Sequence, residues 1–180
     1  MHLDYIAGMD EEFSRPVRAG QIKTQPQHFA LAADTSTCAA LAARFGLPAI
    51  AALAGDFTLR HERAGIIAAQ LRMCAHITQI CVVSLEPFET QIDEQSELRF
   101  VPARSLPEAD EADLSPESLD GPDEIPYTND LIDLGAALAE QLALALDPYP
   151  RRPGAALPAD AQDDSAHPFA QLAAKFRPPE

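Results

Sequence analysis

The chain has 180 residues, a formal net charge of -15 and a pI near 4.5, with three cysteines and no tryptophan. That length suits one domain with its own core, and the acidity disfavours a nonspecific grip on nucleic-acid phosphate while suiting either solubility or a basic partner. No run of about 18 apolar residues marks a membrane span, and MHLDYIAGMDEEF carries acids where a signal peptide carries a basic segment, so a cytoplasmic protein is expected.

In chain order, EEFSRPVRAGQI reads as an extended segment entering a sheet, with Pro16 at an edge or first strand position because it cannot donate to a ladder. QHFALAAD reads as a short strand, and Asp34 or Thr35 can cap the helix TCAALAARFG, which Gly46 stops. From Pro48 to Pro102 the period becomes two. In IIAAQLRMCAHI, Ile67, Leu71, Met73 and Ile77 alternate with Gln70, Arg72 and His76. GDFTLRHE before it and FETQIDE and ELRFVP after it alternate too, and RHERAG is a hairpin link. Four strand signals with short links predict an antiparallel β-meander.

RSLPEADEADLSPESLDGPDEIPYTND is acidic and proline-rich, and predicts a mobile loop over about 104–130. That loop is either simply solvated or a decoy for a basic partner. Asp133 then caps a long apolar helix over about Leu134 to Leu146, ended by Pro148 and expected to be covered on most sides by the sheet. RRPGAALPADAQDDSAHP is a linker by composition. In PFAQLAAKF, Phe169, Leu172, Ala173 and Phe176 fall at i, i+3, i+4 and i+7, one apolar helical stripe. The expected class is α+β: a meander with an early helix, a late helix on the sheet and a short C-terminal helix. The expected organisation is one domain over 1–152, a linker over 153–167 and the terminal helix over 168–177.

Signals for chemistry are weak. Three cysteines cannot form a disulfide framework, and Cys-x-x-Cys does not occur. Cys74 and Cys81, seven residues apart on one extended segment, fall on opposite faces roughly 23 Å apart. His61 and His76 can meet only across a hairpin, and a half-exposed strand histidine is usually just solvated. Gly-x-Ser-x-Gly, His-Glu-x-x-His and a glycine-rich phosphate cradle are all absent. No catalytic residue, metal ligand or cofactor is assigned. Arg60 and Arg72 share the polar phase of neighbouring strands, and with Arg99 they form a candidate RNA-binding face, weighed against ordinary surface charge.

FSRPVR, TQICVVSLEPF, LRFVP, EQLALALDPYPRRPG and HPFAQLAAKF follow one another in this order. In these motifs the chain resembles the YceD family of large ribosomal RNA subunit accumulation proteins, in the style of its alphaproteobacterial members. The resemblance implies no enzymatic activity and a part in 23S rRNA accumulation and large-subunit biogenesis. Many such members carry Cys-x-x-Cys and then Pro-Phe; here Cys81 matches the first cysteine, Ser84 replaces the second, and Pro87 and Phe88 match Pro-Phe. With the second thiol gone, the stretch is expected to be held by packing of Ile80, Val82, Val83 and Leu85. The resulting expectation is a non-catalytic assembly factor that binds a basic ribosomal protein, 23S rRNA precursor or both. Three surfaces are candidates: Glu86, Pro87 and Phe88; Asp147, Pro148, Tyr149, Arg151 and Arg152; and the tail stripe Phe169, Leu172 and Phe176. The tail stripe has a second reading, docking on the domain's own core.

Overall fold

The computed structural model describes residues 13–105 and 122–156. Its centre is a five-stranded sheet in the order β2-β3-β4-β5-β6, with a two-stranded β1-β7 ribbon beside it. The strands are β1 Pro16–Arg18, β2 Gln27–Ala32, β3 Ala49–His61, β4 Ile67–Ile80, β5 Pro87–Pro102, β6 Asp123–Tyr127 and β7 Leu131–Asp133. Among the described residues, the α-helices α1 Thr35–Phe45 and α2 Leu134–Ala145 complete an α+β fold. No helix among the described residues is long and apolar enough to cross a membrane.

The strict alternation of β4 does what it predicts. Ile67, Ala69, Leu71, Met73, Ala75 and Ile77 are buried, and the residues between them are not. In β3 the pairing register shifts between Ile50 and Ala52. One extra residue flips the phase, so Ile50 is buried on one side of the bulge and Leu53, Phe57 and Leu59 on the other. The β3-β4 link closes with Ala64 and Gly65 at positive φ, and Glu62 N–H donates to Ile66 O at 2.7 Å.

Three expectations are corrected. FETQIDE and ELRFVP are one strand, because β4 pairs without a register break from Ile67↔Phe100 to Ile80↔Pro87. Asp93, Glu94 and Glu97 are exposed, Glu94 even though it pairs with buried Met73, and none of them interrupts the ladder. Second, the meander ends at β5, which pairs with β6 in parallel, from Leu98↔Asp123 to Pro102↔Tyr127. A parallel return needs a crossover of about a dozen residues or more, which the acidic stretch supplies. Third, the end of the predicted loop is ordered as β6. Pro126 concealed it, and is tolerated there because β6 is an edge strand. Residues 106–121, and the tail helix expected over 168–177, lie outside the described residues.

Asp34 caps α1 by accepting from Thr37 N–H at 2.8 Å, and Gly46 at φ 67 lets Leu47 N–H reach back to Ala42 O at 2.9 Å. Cys38, Leu41 and Ala42 face the sheet. The Asp133 carboxylate caps α2 by accepting from Gly135 and Ala136 N–H, and it also accepts from Arg15 N–H and the Ser14 hydroxyl. This one side chain therefore joins the N-terminal segment to α2. The helix lies close on the sheet: a Cβ on Gly55 would stand 2.8 Å from a Leu138 methyl. Cover is incomplete at its far end, where Leu144 keeps 68% of its surface in solvent.

Candidate partner-binding surface

At the far end of β4 the chain turns through Cys81–Glu86. Cys81 N–H donates to Glu86 O at 2.9 Å, and Leu85 N–H donates to Cys81 O at 2.8 Å. Leu85 sits at φ 59, a left-handed conformation that costs a leucine about 1–2 kcal/mol. The segment after α2 runs back against this turn. Val82 N–H donates to Pro150 O at 2.9 Å, Gln79 Nε2 to Asp147 O at 3.4 Å, and Arg152 pairs with Glu86 at 2.9 Å. Two candidate surfaces separated by some sixty residues of sequence are thus one surface in space.

Cys81 is the pin between them. Its sulfur is buried and accepts from Ser84 N–H and Arg152 N–H, each at 3.4 Å. The nearby Ser84 hydroxyl, then the Ser84 and Arg152 N–H groups, lower the thiol to about 6 against the opposing effect of burial. Ser84 Oγ itself is buried without a hydrogen bond of standard geometry, so the two N–H donors are the bonds that hold the sulfur.

The expectation that apolar packing holds this stretch is wrong for most of its side chains. Ile80, Val82 and Leu85 are exposed, and the turn rests on hydrogen bonds instead. Pro87 and Phe88 belong to the start of β5 rather than to the turn. Together with Leu47, Leu146 and Pro150, the three exposed residues line an open recess of about 450 Å³. Tyr149 stands beside it in the sequence with 72% of its surface in solvent. Phe169, Leu172 and Phe176 lie outside the described residues.

The solvent-facing side of the sheet holds the arginine candidates. Arg60 and Arg99 both stand level with Ala68, two strand spacings or roughly 10 Å apart, and they share a shallow cavity of about 220 Å³. Arg72 is farther along, opposite Asp56. Acids interleave throughout: Glu62 pairs with Arg60 at 2.9 Å, Glu97 lines the same cavity, and Glu124 stands level with Arg99. His61 pairs with Ile67 and His76 with Ala52, which puts the two histidines roughly 30 Å apart rather than together. Cys74 is on this face, where a hydrogen bond to Asp93 and partial burial push its thiol up. All three cysteines are free, and no cluster among the described residues holds three or more side chains able to bind a metal ion.

A family model described as large ribosomal RNA subunit accumulation protein YceD matches residues 69–174. The chain belongs to the YceD family. Comparison with curated proteins and with solved structures gives no match. The YceD match takes in all but the first two residues of β4 and everything through α2, and therefore both segments that meet at Cys81. The family is named for accumulation of the large ribosomal RNA subunit, not for a catalytic activity, and that is the role membership assigns to this chain.

The residues singled out from the sequence lie on the rim of this candidate surface, not on its floor. Leu47, Ile80, Val82 and Leu146 read as core residues by composition. Only the left-handed backbone at Leu85 separates that leucine from a buried one, and no sequence pattern announces it when neither glycine nor asparagine is present.

Proposed function

We propose that this YceD protein is a non-catalytic assembly factor for the large ribosomal subunit that acts by holding a basic ribosomal protein. The observation that carries the reading is the union of the Cys81–Glu86 turn with Asp147–Arg152 into one surface, through Val82 to Pro150 and Arg152 to Glu86. That surface offers apolar anchors in Ile80, Val82, Leu85 and Tyr149 beside the carboxylates of Glu86 and Asp147. A net charge of -15 steers a basic protein toward it and repels bare RNA. Residues 106–121 add further acids to the same chain.

A pull-down from cells, with and without nuclease, tests the reading. The expected outcome is recovery of a basic large-subunit protein in both arms, lost with Leu85→Asp/Tyr149→Ala. Recovery of RNA with no ribosomal protein after nuclease would reject it.

The second reading is direct RNA binding by Arg60, Arg72 and Arg99. In its favour, Arg60 and Arg99 stand in one row across three strands; against it stand Asp56, Glu62, Glu97 and Glu124 on the same face. Arg60→Glu/Arg72→Glu distinguishes the two. Normal association of that variant with ribosomal precursors would exclude the arginine face, while a salt-sensitive loss of affinity for 23S fragments would favour it.

A further inference from the structure

We propose that in the free protein the recess beside the Cys81–Glu86 turn seats the chain's own C-terminal stripe, Phe169, Leu172, Ala173 and Phe176. The recess asks for an occupant. Ile80, Val82 and Leu85 keep 42%, 43% and 75% of their surfaces in solvent, and they stand together around one concavity with Leu47, Leu146 and Pro150. Contiguous apolar surface of this kind marks a contact site. Leu85 strengthens the case. A turn that needed only its backbone shape would use glycine or asparagine at φ 59, whereas leucine adds an exposed apolar side chain at an unfavourable backbone conformation. The side chain, not the turn, accounts for the residue.

Several observations favour the tail as occupant. The last described segment runs beside the recess, where Pro150 accepts from Val82 N–H and Arg152 N–H donates to Cys81 Sγ. Residues 157–168 reach roughly 40 Å when extended, so the stripe is tethered within range at a high effective concentration. The stripe presents apolar residues at i, i+3, i+4 and i+7, the pattern by which a helix fills an apolar groove. Lys175 lies within it and Arg177 follows it, while Asp147 lines the recess and Glu86 follows Leu85 in the turn. The YceD match, which runs to residue 174, includes the recess-forming turn and most of the stripe. A second copy is the weaker candidate, because two chains of -15 repel each other.

The inference concerns the isolated chain, so it holds or fails independently of any ribosomal partner. The test is paramagnetic relaxation in the full-length protein. A nitroxide is attached through Ala174→Cys in a Cys74→Ser background, because Cys38 and Cys81 are buried and Cys74 is not. The expected result is loss of methyl intensity at Ile80, Val82 and Leu85, unchanged on dilution. Ile67, roughly 40 Å away along β4, should keep its intensity. Leu85→Asn, which suits the left-handed backbone and removes the apolar contact, should restore the Ile80 and Val82 signals. Undiminished recess methyls in the free chain would overturn the proposal. So would broadening that appears only between separately labelled molecules, which would assign the recess to a second copy.

Discussion

At Cys81 a single sulfur takes the place of a tertiary hydrophobic contact. Two backbone N–H groups converge on it, one from Ser84 in its own turn and one from Arg152, 71 residues beyond Cys81. The thiol titrates near 6 in the folded protein against 9.0 for an unperturbed cysteine. A folded value below the unfolded one stabilises fully above pH 9 and loses that contribution as pH falls through about 6. The urea midpoint of the native chain should therefore rise between those limits relative to Cys81→Ser, whose hydroxyl does not titrate there. Parallel curves for the two proteins would mean the sulfur is not held as a thiolate. Asp133 is the other residue on which distant segments depend. It satisfies orphan N–H groups of α2 and the backbone of Arg15 at once. Asp133→Ala should cost about 2 kcal/mol in urea unfolding, more than an isolated helix cap.

Among the elements, α2 is seated by two glycines that differ in what they touch. A Cβ at Gly55 would meet Leu138 methyls at 2.8 and 2.9 Å, and those can turn aside. A Cβ at Gly135 would meet the Phe13 carbonyl oxygen at 2.4 Å, and backbone cannot. Gly55→Ala should cost about 1 kcal/mol and Gly135→Ala about 3 kcal/mol, read as a difference in melting midpoints between the two variants. These close approaches also mark the limit of sequence reading. The alternation of β4, the Asp34 and Asp133 caps and the Gly46 stop were legible because each is a local rule. The continuity of β5 was not, because the uninterrupted ladder from β4 carries it past DEQSE. Nor was β6, a proline-bearing strand whose partner lies across a crossover. The candidate surface was half legible. Its polar rim stood out by motif, while Ile80 and Val82 became surface only because the sheet ends there.

For the whole molecule, acidity and the mixed arginine face lead to one expectation. Association with the basic large-subunit protein proposed as partner should weaken steadily as salt rises, with the change mainly in the association rate. Stopped-flow binding at increasing ionic strength measures this, and a salt-independent rate would argue that the apolar recess alone drives encounter. The β1-β7 ribbon has a different consequence, one of timing. Pro16 pairs with Asp133 and Val17 with Ile132, so β1 has no partner until β7 has been synthesised. At about 5–20 residues per second, the ribosome leaves that segment waiting for many seconds. A protein of a family named for ribosomal RNA accumulation thus itself depends on the ribosome's pace, because its β1-β7 ribbon closes only once β7 has been made.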